Sequence, residues 1–165
     1  MLPMAKVHIL SWRETYPGLL PDRMLSRLSI SDEAIRWQRM LDRAPLRGST
    51  LAFVADQQGS ILGYGTCHEQ RMQVLHDRGF TSEISELYVL GKAQGQGLGS
   101  GLMKAMASAL HTQGHRAMSL WVLEQNSRAR SFYERRGGEL IAQKKGNLFE
   151  VAYGWSDLQR LVESR

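Results

Sequence analysis

The feature that most constrains this chain is a glycine-rich stretch, Gln94–Gly101, between an apolar segment and a helical pattern. Glycine stands at every second position from Gly95 to Gly101, and apolar residues recur every three or four positions from Leu98 until Gly114. Each glycine lowers the stability of a helix by about 1 kcal/mol relative to alanine. Four glycines at the start of a helix are therefore unfavourable unless the turn has a function. Because a helix N-terminus leaves backbone N–H groups unpaired and carries partial positive charge, the stretch predicts a turn that binds a phosphate.

Two common phosphate-binding patterns do not fit this stretch. The dinucleotide fingerprint G-x-G-x-x-G fails because Ser100 or Leu102 stands at the third glycine position, whichever frame is used. A P-loop requires Gly-Lys-Ser/Thr after four residues, and Lys104 has no such frame.

The pattern that does fit is Gln/Arg-x-x-Gly-x-Gly/Ala, which Gln94, Gly97 and Gly99 satisfy. This is the acetyl-CoA signature of the GNAT N-acetyltransferase superfamily, which the sequence resembles. Three further segments resemble GNAT members in the expected order. They are the helix–loop segment Trp12–Pro21 over the acceptor pocket, the strand Glu86–Leu90 before the signature, and the second cofactor motif Asn126–Tyr133.

The pattern of elements predicts a single α/β (α+β mixed) domain over residues 1–165, with a mixed sheet and helices against it. Helical patterns begin near Met4, Pro21, Ser31, Leu98, Asn126 and Ser156, and Gln70–Thr81 is expected to be a loop. The predicted strands are Thr50–Ala55, Ile61–Cys67, Glu83–Leu90, Met118–Leu123, Glu139–Gln143 and Leu148–Tyr153.

The resemblance implies a central, mostly antiparallel, splayed sheet flanked by helices. GNAT members usually begin with a strand, whereas here a helix begins almost at Met4. We therefore expect that first strand to be missing or shortened. An edge strand missing in this way would expose backbone donors and favour a homodimer.

Composition excludes several other classes of protein. The net charge of +5 comes without a basic run of five or a zinc-finger spacing, so no nucleic-acid partner is expected. No apolar run approaches the roughly 20 residues that span a bilayer, so no membrane partner is expected. Cys67 is the single cysteine, which rules out an internal disulfide and fits a cytoplasmic location. The five histidines show no metal-site spacing, so no metal is expected.

The resemblance assigns roles to the residues of these motifs. The backbone N–H of Val89 would donate to the thioester oxygen as charge builds there. Tyr133 would be the general acid for the departing thiolate, although a core aromatic beside Phe132 is the alternative. The expected acetyl-CoA contacts are Leu87, Tyr88, Val89, Gln94, Gly95, Gln96, Gly97, Leu98, Gly99, Ser100, Asn126 and Tyr133.

The general base has two candidates on one predicted strand. Glu83 lies eleven residues before Gln94, similar to the placement of a catalytic glutamate in several GNAT members, and Glu86 is its rival. On a regular strand Glu83 faces the same side as Val89 and Glu86 faces the other. A bulge would undo this argument, and water alone is a further alternative. Glu83 is favoured.

The resulting hypothesis is an N-acetyltransferase that moves an acetyl group from acetyl-CoA to an amine of a small molecule or peptide. The amine would attack the thioester directly, without a covalent enzyme intermediate. A protein N-terminal or lysine acetyltransferase is one alternative, and a catalytically inactive CoA-binding module is another. Nothing in the sequence names the acceptor.

Overall fold

The computed structural model describes residues 2–43 and 50–163, in which helices and strands follow the predicted order. The helices are α1 Leu2–Thr15, α2 Asp22–Ser26, α3 Ile30–Arg43, α4 Gln73–His76, α5 Leu98–Thr112, α6 Ser127–Arg135 and α7 Leu158–Glu163. The strands are β1 Leu51–Gln57, β2 Ser60–Glu69, β3 Ser82–Val89, β4 Met118–Leu123, β5 Glu139–Lys145 and β6 Phe149–Trp155. Over residues 2–43 and 50–163, every helix is too short or too polar to cross a membrane.

The six strands form one sheet in the order β1-β2-β3-β4-β6-β5. β3 and β4 are parallel, as a connection through a helix such as α5 allows. β6 is antiparallel to both β4 and β5. β1 and β2 are joined by a tight hairpin in which Gln58 and Gly59 both have positive φ, at 53° and 80°. The expected mixed, mostly antiparallel sheet flanked by helices is confirmed.

The described chain divides into two compact units. The first unit comprises the described residues up to Thr66 together with Glu86–Leu102. Its core is built around the fully buried rings of Trp37 and Tyr64, which meet edge to face at 5.1 Å. The apolar faces of α1 and α3 therefore close over β2 within this unit.

The second unit comprises Cys67–Ser85 and the described residues from Met103 onward. Most of its buried side chains come from α5, from the paired strands β4 and β6, and from α7. They include Met103, Met106, Leu110, Met118, Val151, Tyr153 and Leu158.

Two elements differ in detail from the prediction, whereas the described residues before β1 contain helices and no strand of the sheet, as expected. The polar segment expected to be a loop contains the single-turn helix α4, anchored by the buried Leu75. Helix α3 begins at Ile30, and the Ser29 hydroxyl accepts from the N–H of Asp32 at 3.3 Å, two residues before the predicted start near Ser31. The described chain opens on α1 at Leu2, and the sheet is built from β1 onward.

Candidate functional site

The glycine-rich turn lies where predicted, between β3 and α5 in the first unit. Gly95 and Gly97 have positive φ of 78° and 83°, a conformation that favours glycine. An added Cβ at either position would meet no atom within 4 Å, so the space above the turn is open. The Gly97 carbonyl accepts from Gly101 N–H at 2.9 Å and starts helix α5. Helix geometry leaves the first N–H groups of α5 without partners inside the helix, which suits an anion.

Two glutamine side chains of the turn bind the backbone that precedes it. The amide of Gln94 donates to the Val89 carbonyl at 2.8 Å, and the amide of Gln96 donates to the Lys92 carbonyl at 3.1 Å. Gln94 therefore fixes the end of β3 to the start of the turn. This side-chain contact was not part of the prediction, which assigned Gln94 only to the ligand.

The end of β3 approaches β2 closely inside the first unit. Leu90 N–H donates to the Leu62 carbonyl at 2.9 Å. A Cβ added to Gly63 would lie 2.9 Å from the Tyr88 carbonyl oxygen and 3.1 Å from a Val89 methyl carbon. Glycine at position 63 is thus required by the close approach of backbone.

A charged network in the first unit surrounds Glu86. The Arg36 guanidinium binds Glu33 through two of its nitrogens and reaches Glu86 Oε1 at 2.9 Å. Burial raises the pKa of Glu33, but hydrogen bonds from His8 and Arg36 outweigh it and hold this pKa at about 2. His8 Nδ1 lies 3.0 Å from Glu33 Oε1 and 2.9 Å from the Tyr64 hydroxyl. Glu86 is thereby held by an arginine that a second carboxylate already fixes.

Aromatic rings pack next to this network, against and beyond the ring of His8 on α1. His8 stacks near Trp12 at 5.2 Å between ring centroids and near Tyr88 at 5.0 Å. Trp12 in turn meets the edge of Tyr16 at 5.0 Å. Trp12 Nε1 and Glu86 Oε2 are buried, and neither has a hydrogen-bond partner within the described part of the chain.

Glu83 lies in the second unit and is buried, with 9% of its side chain exposed. The Arg71 guanidinium donates to Glu83 Oε1 from Nε at 2.9 Å and lies 2.8 Å away through Nη2. His68 Nε2 lies 3.3 Å from the same oxygen. The sequence pointed to Glu83 but not to these two neighbours, because Arg71 lies in the segment expected to be a loop and His68 lies just beyond the predicted strand.

The second predicted motif, also in the second unit, has the local structure expected of it. Asn126 Oδ1 accepts from the Ala129 N–H at 3.2 Å and so caps α6. Tyr133 is buried, and its ring meets Tyr153 at 6.0 Å and the edge of Trp155 at 6.1 Å. The packing expected of a core aromatic is therefore present at Tyr133.

Comparison with known proteins identifies the family of this chain. The sequence model of the Acetyltransferase (GNAT) family matches residues 9–138, which is most of the chain. The chain belongs to the GNAT family. It is 32% identical over 164 residues to an uncharacterized N-acetyltransferase of Bacillus subtilis, covering 96% of this chain and 88% of that protein. It is 28% identical over 138 residues to a probable N-acetyltransferase of Mycobacterium tuberculosis, covering 81% and 71%.

The GNAT fold is also seen in solved structures that resemble this chain. The PaiA N-acetyltransferase of Thermoplasma acidophilum, solved in complex with coenzyme A, superposes with a TM-score of 0.73. The two share 18% identity over 92% of this chain and 90% of that one. The solved structure shows the same fold, while the family model and the two relatives confirm the predicted family and an acyltransferase of the N-acetyltransferase type.

The potential metal ligands of this GNAT protein are dispersed. Within residues 2–43 and 50–163, no three His, Cys, Asp or Glu side chains gather as a metal site would require. Cys67 is fully buried, and burial raises the pKa of its thiol to about 12. The thiol is therefore protonated at neutral pH, the form in which it is a poor nucleophile.

Proposed function

We propose that this GNAT protein transfers the acetyl group of acetyl-CoA to a primary amine of a small molecule or peptide. The observation that carries the proposal is the turn before α5, where Gly95 and Gly97 adopt positive φ beneath open space. A pyrophosphate fits there, since donors and the helix dipole both favour an anion. The solved relative with coenzyme A bound supports the same cofactor.

The cofactor contacts are assigned motif by motif. Backbone N–H groups of the turn would bind the pyrophosphate, and the β3 backbone would bind the pantetheine arm. The cap residue Asn126 and the phenol of Tyr133 complete the set. The residues in the first two groups are Gln94, Gly95, Gln96, Gly97, Leu98, Gly99 and Ser100 for the turn, and Leu87, Tyr88 and Val89 for β3.

The reaction is direct attack on the thioester. The amine nitrogen forms a bond to the acetyl carbon, the carbon–sulfur bond breaks, and CoA leaves as a thiolate. The Val89 N–H stabilises the oxyanion, and the Tyr133 phenol supplies the proton that the thiolate takes. Packing of the Tyr133 ring against Trp155 supports this role, because a fixed ring directs its hydroxyl.

Glu83 is the proposed base for the acceptor ammonium. Its partner Arg71 is 69% exposed, so water competes for the guanidinium and the ion pair is easier to open. Arg36, which holds Glu86, is bound at the same time to Glu33. Glu83 is therefore the carboxylate that is easier to free, and Glu86 is the comparison. Truncation in Glu83→Ala should lower kcat more than it weakens acetyl-CoA binding.

The deciding experiment is release of free thiol from acetyl-CoA across a panel of antibiotics, polyamines, amino acids and peptides. We expect turnover with at least one acceptor, and a fall in kcat of tenfold or more in Tyr133→Phe that is larger than the change in KM for acetyl-CoA. Turnover only on peptides bearing a free N-terminus or lysine would instead assign a protein acetyltransferase. Acetyl-CoA binding without turnover on any acceptor would indicate a CoA-binding module, and no binding would refute the proposal.

The cellular compartment and the oligomeric state of the enzyme belong to the same proposal. A single buried thiol is compatible with a reducing, cytoplasmic compartment. Strand β1 forms one edge of the sheet, so pairing with a second copy has a free strand to use. Light scattering of the purified protein would measure the oligomeric state directly.

A further inference from the structure

His68 is a buried histidine on β2 whose tautomer is fixed by its neighbour. Its side chain is 9% exposed. Nδ1 lies 2.6 Å from the Glu69 carbonyl oxygen, and a carbonyl oxygen only accepts, so Nδ1 carries a hydrogen. The position available for a further proton is therefore Nε2.

Nε2 of His68 faces the carboxylate of Glu83. The two atoms, Nε2 and Oε1, are 3.3 Å apart, and Nε2 has no hydrogen-bond partner within the described part of the chain. An ionised carboxylate and a neutral Nε2 are both acceptors. The contact becomes favourable when one proton is placed on either atom, because it then joins a donor to an acceptor.

One charged and two neutral polar side chains lie close to the pair formed by His68 and Glu83. Arg71 is the charged neighbour, and its guanidinium contacts Glu83 Oε1. On β4, Ser119 stands opposite Glu83 in the parallel register, and its hydroxyl accepts from the amide of Gln70 at 2.7 Å. These last two side chains are neutral, so they do not take up a proton near neutral pH.

We propose that His68 is the proton-accepting partner of Glu83 in acetyl transfer. Glu83 takes a proton from the acceptor ammonium and becomes a carboxylic acid, which leaves a neutral amine to attack. The acid passes this proton to Nε2, which restores the carboxylate and leaves an imidazolium beside it. After the product has left, Glu83 takes the proton back from Nε2 and releases it to water, which frees both groups for the next turnover. This inference rests on the proposed function, in which Glu83 is the base.

His68 is a positioning residue in this scheme and acts through Glu83, so the test must separate a proton acceptor from a structural support. Gln at position 68 retains an N–H donor for the Glu83 carboxylate but cannot take up a proton. We expect His68→Gln to lower kcat about tenfold, with an unchanged KM for acetyl-CoA. His76→Gln, on the exposed histidine of α4, is the matched control and should behave as wild type.

Three further readouts distinguish the relay from lost packing. The pH dependence of kcat/KM should change in His68→Gln, because the variant removes the group that takes up the proton in the relay. Free imidazole should restore several-fold of the activity lost in His68→Ala. The double variant His68→Gln/Glu83→Gln should be no slower than Glu83→Gln alone, because both side chains serve one proton path.

The outcomes separate a failure of the His68 relay from a failure of Glu83 as the base. Wild-type turnover in His68→Gln, or independent losses that multiply in the double variant, would overturn the relay while leaving Glu83 as the base. Wild-type turnover in Glu83→Gln would instead remove the base on which the relay depends. A slow His68→Gln whose pH profile matches wild type would show a purely structural role for His68.

Discussion

The backbone N–H of Gly91 donates a hydrogen bond of 2.7 Å to the carboxylate of Glu14, near the end of α1. The contact is close, since a Cβ at position 91 would stand 3.0 Å from the same carboxylate oxygen. Gly91 opens the connection that leads to the glycine turn. The end of α1 is therefore attached, within the first unit, to the segment that we assign to the pyrophosphate.

Removing this attachment should loosen the turn without unfolding the protein. Because one exposed, charge-assisted hydrogen bond contributes about 1 kcal/mol, we expect Glu14→Ala to raise the Kd for acetyl-CoA a few-fold. Glu14→Gln keeps an oxygen acceptor for Gly91 and should stay close to wild type. Isothermal titration with acetyl-CoA measures both values. Equal affinities in Glu14→Ala and wild type would show that the turn is fixed without Glu14.

Substitution in the turn itself should have a larger effect. Gly97 has a φ of 83°, and a residue with a Cβ costs roughly 1–2 kcal/mol in this conformation. We expect Gly97→Ala to raise the Kd for acetyl-CoA more than tenfold, since the turn must open or distort.

Gly101 is the matched control for that substitution. It lies inside α5, and an added Cβ meets no atom within 4 Å. Alanine there improves helix propensity by up to about 1 kcal/mol, so Gly101→Ala should bind acetyl-CoA normally and melt at a higher temperature. A loss of affinity in Gly101→Ala equal to that in Gly97→Ala would contradict the assignment of the turn.

The parts of the fold that sequence predicts well are those that neighbouring residues determine. Strand β4 has the predicted ends, Met118 and Leu123, because five of its six residues are apolar and the polar Glu124 follows. Helix α5 begins at Leu98, and Asn126 caps α6 through its side chain, both as predicted. Each of these features depends on contacts within about four residues.

The parts that sequence did not predict depend on residues far apart in the chain. Arg36 bridges Glu33, three residues away, and Glu86, fifty residues away, and only the first spacing is visible in a helical pattern. Arg71 reaches Glu83 from a segment that carries no periodic signal. A charged side chain on a surface helix or loop has many possible ion-pair partners of similar energy. Its actual partner is therefore identified only from the folded structure.

The Glu33 network predicts a specific loss of stability in acid. The pKa of Glu33 is held at about 2, below its ordinary value of 4.5. Its contribution is therefore complete above pH 4.5 and is lost as the pH falls toward 2. We expect Glu33→Gln to remove roughly 1–2 kcal/mol of this pH dependence. Urea unfolding at pH 7 and pH 3 measures it, with the exposed Glu139→Gln as control. An unchanged pH dependence in Glu33→Gln would refute the network.

Cys67 should not react with thiol reagents in the native protein. With a pKa of about 12 imposed by burial, about one thiol in ten thousand is ionised at pH 8. We expect no labelling by Ellman's reagent within an assay and one thiol per chain after denaturation in guanidinium. Rapid labelling of native protein would mean that this region opens readily. The same property keeps the thiol-release assay free of background.

Gly154 on β6 should be the glycine least tolerant of substitution in the second unit. An added Cβ would stand 2.5 Å from Phe80 Cε1 and 2.8 Å from Ile141 Cδ1, closer than side chains approach without displacement. Overpacking of this kind costs about 1–3 kcal/mol, so Gly154→Ala should unfold at a lower urea concentration. Gly146, between β5 and β6, is the control, because its added Cβ would lie 3.9 Å from the nearest atom, the Leu148 carbonyl oxygen. Similar stabilities in the two variants would show that Phe80 and Ile141 move aside without cost, and crowding would then not explain why glycine is needed at position 154.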